Sequence, residues 1–148
     1  MFPTHTKILI VDDMKSMRMF LKNCLVEMHL EVIHEAADGA AAWAQIEGAI
    51  TQNEPYELII TDWNMPRMRG IDLLRRIRSH PETSRVPVVI LSAESTLEQV
   101  TEAIEAGATS YIVMPVTPEL FREKITRVYE FSSRNQAKSA QARSTPAH

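Results

Sequence analysis

The sequence predicts an α/β fold: a doubly wound, five-stranded parallel sheet with five helices. Three observations predict it. Short apolar runs recur along the chain, each is followed by a segment with helical apolar spacing, and capping or turn residues separate the two. Strict strand–helix alternation with right-handed crossovers gives parallel strands with helices on both faces. The 148 residues fit one domain. A chain of this size buries about 70% of its unfolded surface and needs no disulfide or metal staple.

KILIV (7–11) is a continuous apolar run, the mark of a strand covered on both faces. Met17, Phe20, Leu21, Cys24, Leu25 and Met28 then recur at helical spacing and form one amphipathic helix. LEVIHEA (30–36) is more polar, as an edge strand is. Asp38 caps a second helix that carries Trp43, Ile46 and Ile50 on one side. ELIIT (57–61) is another buried strand. Ile71, Leu74 and Ile77 line the next helix, which His80-Pro81 ends. VPVVIL (86–91) is a strand with its proline near the start, where proline is tolerated. Ser95 and Glu98 have capping-box spacing ahead of Leu97, Val100 and Ile104, and Gly107 closes that helix. SYIVM (110–114) is the fifth strand, and Thr117-Pro118 starts a last helix bearing Phe121, Ile125 and Val128. The domain is expected to span 1–131. The polar, Ala/Ser/Gln-rich segment 132–148 is expected to be a disordered tail.

Composition excludes several function classes. A net charge of -3 with no basic block argues against nucleic-acid binding. The apolar runs are far too short to span a bilayer, and the N-terminus lacks the apolar core of a signal peptide. The single cysteine, Cys24, rules out an internal disulfide framework and suits the reducing cytoplasm. It lies on an apolar helical stripe and reads as an inert core thiol. The five histidines are scattered without metal-ligand spacing.

Ligands of such sheets bind beyond the carboxyl ends of the strands. Asp12 and Asp13 follow the first strand, Asp62 the third and Ser92 the fourth, so all four fall on one rim. Clustered carboxylates raise one another's proton affinity unless a cation sits among them. A hard divalent ion, Mg²⁺ foremost, takes one or two carboxylates together with waters and phosphate oxygens. The rim therefore reads as an acidic Mg²⁺ pocket. A lone Asp after a strand is more often a cap or turn former, and Asp12 or Asp13 could cap the first helix. Spacing alone leaves both readings open.

The ordered set ILIVDD, TDWNMPRMRG, VVILSAE and GATSYIVMP is more specific than its parts. It resembles the receiver domain of two-component response regulators from about Lys7 to Phe131. DWNMP and Ser92-Ala93-Glu94 are most similar to those of CheY-like single-domain chemotaxis regulators, and the matched span leaves no output domain within the chain. The resemblance implies a flavodoxin-like strand order of 2-1-3-4-5. It implies phosphorylation of Asp62, with Mg²⁺ held by Asp13, Asp62 and the main-chain carbonyl of Asn64, and by Asp12 mainly through water. A carboxylate attacking phosphorus in line gives an acyl phosphate, a transfer that needs chiefly positioning and charge neutralisation. By the same resemblance Ser92 is the hydroxyl that donates to the phosphoryl group, Tyr111 is the aromatic that moves inward after it, and Trp63 borders the site. The implied partners are a histidine kinase as phosphodonor and a flagellar motor switch or other target protein. The target would bind residues of about 95–131, on the fourth helix, fifth strand and fifth helix. The protein is then a switching module and not an enzyme.

One position departs from the family. A lysine normally precedes the proline after the fifth strand, and this chain has Met114. Methionine has similar length but neither charge nor donor. Loss of one close ion pair in a partly buried site is worth about 2–5 kcal/mol of phosphoryl stabilisation if nothing replaces it. Arg67 and Arg69, in the loop after Asp62, read as solvated. Two rival functions remain: a phosphorylation-independent interaction module that retains the acids, and a Mg²⁺-dependent phosphohydrolase. The latter wants an acid two residues after its nucleophile, where this chain has Asn64.

Overall fold

The computed structural model describes residues 2–144, with side chains as far as Arg134. Strands β1 (Lys7–Val11), β2 (Val32–Ala36), β3 (Leu58–Asp62), β4 (Val88–Ser92) and β5 (Ser110–Val113) alternate with helices α1 (Lys15–Glu27), α2 (Gly39–Thr51), α3 (Gly70–Ser79), α4 (Leu97–Glu105) and α5 (Pro118–Ser144). The strands form one parallel sheet in the order β2-β1-β3-β4-β5, as expected. Val11 lies opposite Thr61, so Asp12 and Asp62 leave neighbouring strands at nearly the same level.

Period-two alternation divides the strand side chains between two cores. Ile8, Ile10, Leu58, Ile60, Val89, Leu91 and Ile112 pack against Leu21 and Leu25 of α1 and Phe121, Ile125 and Val128 of α5. Leu9, Val11, Ile59, Val88 and Ile90 pack on the other face against α2, α3 and Ala103 of α4. The central strands are buried on both sides, which is why they read as unbroken apolar runs. Edge strand β2 is polar and largely open to solvent.

Four local expectations differ from the structure. The cap of α4 is Thr96, which accepts from the Gln99 N–H at 3.2 Å, and not Ser95. The buried side of α2 is centred on Ala42, Ile46 and Ala49, with Trp43 and Ile50 only partly covered, because small alanines let that helix approach the sheet. Leu97 and Ile104 of α4 are 83% and 63% exposed, and Ala103 alone of that helix is buried. The segment 132–148 was expected to be a disordered tail from its first residue, but α5 continues to Ser144. Ala, Gln, Lys and Arg are good helix formers, which favours this continuation. Residues 145–148 lie outside the described residues. Asp38 does cap α2, accepting from the Ala41 N–H at 2.7 Å, and Thr117 receives the Leu120 N–H at the start of α5. Among the described residues, no helix is long and apolar enough to cross a membrane.

Candidate functional site

The carboxyl-end rim of the sheet brings the three acids together. The Asp12 N–H donates to the Ala36 carbonyl at 3.1 Å, extending the β1–β2 ladder by one step, and the Trp63 N–H donates to the Leu91 carbonyl at 2.8 Å. With the residues after β1 and β3 anchored in this way, one carboxylate oxygen from each of Asp12, Asp13 and Asp62 lies within 4.8 Å of the other two. Asp12 is buried, Asp62 half-buried and Asp13 exposed. These acids do not cap α1. Its N-cap is Met14, with no side-chain cap bond, and Asp12 instead accepts the Met14 N–H at 2.9 Å.

Burial raises the proton affinity of the inner two acids. Asp12 is pushed from 3.8 to about 6, first by desolvation and then by the nearby charges of Asp62 and Asp13, against the opposing Met14 hydrogen bond. Asp62 is raised chiefly by burial, while the N–H groups of Asn64 and Trp63 pull it back down. No lysine or arginine is among the influences on either group. Converging oxygens with unneutralised charge suit a hard divalent cation. Asn64 lies two residues beyond Asp62, in a loop closed by a 3.0 Å bond from the Gly70 N–H to the Trp63 carbonyl. Gly70 is required there, because a Cβ at that position would collide with the Asp62 carbonyl.

The other candidate residues lie on or just after β3, β4 and β5. Ser92 ends β4, is buried, and its Oγ accepts the Glu94 N–H at 3.1 Å. The Tyr111 hydroxyl donates to the Glu94 carbonyl at 2.7 Å, and its ring meets that of Trp63 edge-on at 6.4 Å. Trp63, next to Asp62 in the chain, is buried. Met114 follows β5 and its N–H donates to the Ser92 carbonyl at 2.8 Å. Its side chain, like those of Met17 and Phe20, packs on the core shared by α1 and α5. Both loop arginines are paired with acids outside the rim. Arg67 pairs with Asp38 at 2.7 Å and Arg69 with Asp72 at 3.1 Å. Sequence reading missed Arg18, which donates to the Asp12 carbonyl at 2.7 Å and pairs with Glu35 at 3.1 Å.

This fold and rim are those of a receiver domain, and residues 8–126 match the family model for the response regulator receiver domain. The chain belongs to that family, and within it is a CheY-like receiver domain. It is 40% identical over 126 residues to chemotaxis protein CheY-3 of Vibrio cholerae, covering 85% of this chain and 93% of the relative. It is 39% identical over 124 residues to chemotaxis protein CheY of Pseudomonas aeruginosa, covering 84% and 96%. Among solved structures, the chemotaxis response regulator CheY4 of Vibrio cholerae superposes with a TM-score of 0.75 at 31% identity, over 84% of this chain and 99% of the other. A CheY-like receiver domain protein of Methanospirillum hungatei gives 0.76 at 27% identity, over 88% and 98%.

Proposed function

We propose that the chain is a chemotaxis response regulator that accepts a phosphoryl group on Asp62 from a histidine kinase. The observation that supports this reading best is the convergence of Asp12, Asp13 and Asp62 on one rim. A carboxylate oxygen of Asp62 forms the new bond to phosphorus as the bond from phosphorus to the donor's nitrogen breaks. The electron pair leaves with that nitrogen, which takes up a proton. Asp13, Asp62 and the Asn64 carbonyl would hold Mg²⁺, with Asp12 acting through water; when bound, the ion supplies neutralisation of the transferring charge. Half-burial at a strand end fixes the attacking oxygen. Ser92, at the end of the neighbouring strand, accepts the Glu94 N–H and keeps its own proton to donate to the new phosphoryl oxygens. The exposed Leu97 and Ile104 make α4 the apolar part of a face, about 95–131, that would engage a flagellar motor switch protein.

A second reading, a receiver that signals without phosphate, draws support from one feature. Met114 brings no charge to the rim, and Arg67 and Arg69 are already committed to Asp38 and Asp72. Incubation with Mg²⁺ and acetyl phosphate, read by intact mass, separates the two. A gain of one phosphoryl group that is lost in Asp62→Asn is expected. No gain at any donor concentration would overturn the first reading and favour the second.

A further inference from the structure

The loop between β3 and α3 carries Asn64 and has to hold one shape for its carbonyl to face the rim. Gly70 closes its far end. At the outer turn Arg67 has a φ of 68°, in the left-handed region, which a residue with a Cβ occupies only where its surroundings enforce it. Those surroundings are the start of α2. Arg67 Nη1 donates to Asp38 Oδ2 at 2.7 Å, while Asp38 Oδ1 accepts the Ala41 N–H at 2.7 Å. The Asp38 side chain is only 10% exposed, against 74% for Arg67, so a fixed carboxylate anchors a surface arginine. The next residue, Met68, sits so close to α2 that a Cβ on Gly39 would lie 2.6 Å from it. One carboxylate therefore fastens two segments, the first turn of α2 and the crest of the loop.

We propose that the Arg67–Asp38 pair is a positioning brace for the cation site, tying the Asn64-bearing loop to the N-terminus of α2. The inference rests on the Mg²⁺-dependent function proposed above. Neither residue belongs to the donor set, so the pair acts through the loop. The direction of the effect distinguishes a brace from a simple field. Arg67 is a cation on a loop flanking an acidic pocket, and through its field alone it would oppose Mg²⁺ binding, so its removal would tighten binding. A brace predicts that removal weakens it.

The test is Mg²⁺ titration of the full chain by calorimetry, alongside thermal unfolding without metal. Arg67→Asn removes the cation but keeps a residue that tolerates positive φ. Asp38→Asn removes the charge but keeps a good helix cap. Arg67→Lys restores the cation with a single donor. Expected is Mg²⁺ binding weaker by roughly twofold to fivefold in both Asn variants, the scale of one mostly exposed ion pair, and largely recovered in Arg67→Lys. Unchanged or tighter binding in Arg67→Asn overturns the brace and leaves the proposed function standing. So does weakening confined to one of the two Asn variants, or a lowered thermal midpoint with unaltered Mg²⁺ affinity. If the unsubstituted chain binds no Mg²⁺, both the brace and the proposed function fall.

Discussion

Met114 is fixed by both its main chain and its side chain. Its main chain is tied to Ser92 through a 2.8 Å hydrogen bond, and its side chain packs on apolar neighbours instead of adding charge to the rim. Buried Asp12 and half-buried Asp62 are left with raised proton affinity, chiefly through desolvation. A lysine is about as long, so Met114→Lys would put an ammonium where the thioether chain now ends. The expected outcome is a higher phosphorylation yield, or an altered phosphate lifetime, in a time course with acetyl phosphate and Mg²⁺. Superimposable labelling and decay curves for the two chains would show that the position has no bearing on phosphate chemistry. The sequence places Met114 directly before Pro115, after the fifth strand. The occupation of Arg67 and Arg69 by other acids was not legible there, because both partners come from pairing geometry on the folded surface.

At the level of elements, caps and closures join helices to the sheet, and Arg78 near the end of α3 does this for three segments at once. Its guanidinium donates to the carbonyls of Val86 at 2.6 Å and Gly107 at 2.9 Å, and more weakly to the Thr83 carbonyl and the Thr109 hydroxyl. All four acceptors are neutral, and burial lowers the pKa of the arginine. Gly107, at φ 100°, leaves the space this side chain fills, since a Cβ there would press on it. Arg78→Met keeps most of the stem but orphans these carbonyls, which costs about 2–4 kcal/mol. Urea unfolding should show that loss, and a midpoint within error of the parent would mean that water replaces the guanidinium without penalty. Gly107 was readable as a helix stop. Arg78 was not, because nothing in a run of arginines says which one turns inward. For α4 the sequence shows an apolar stripe of Leu97, Val100 and Ile104, yet only the packing reveals that Leu97 and Ile104 face water.

The stability of the whole molecule carries the cost of keeping acids at the rim. The folded pKa of Asp12 is about 6 against an ordinary 3.8, so the folded chain holds this proton more tightly than the unfolded chain does. Stability of the metal-free protein therefore falls as pH rises through that window and stays lower above it. The difference corresponds to about 3 kcal/mol at most. Asp12→Asn removes the buried charge. It is expected to stabilise the metal-free protein at about pH 7 by roughly 1–3 kcal/mol and to flatten its pH dependence between about pH 4 and 6. Urea unfolding in a chelator at the two ends of that range checks this. Equal stabilities at neutral pH would mean that the folded surroundings fully solvate the Asp12 carboxylate.

The sequence by itself determined the class of fold, the strand–helix alternation, the residues that fall on the rim and the family to which the chain belongs. These are properties of local periodicity and of motif order, and each is written in contiguous residues. Tertiary structure alone decided that three carboxylates meet within 4.8 Å, that Asp12 is the one whose proton affinity rises to about 6, and that Asp38 holds Arg67. Those facts depend on burial and on contacts between segments far apart in the chain. Such contacts exist only once the sheet has set its neighbours side by side.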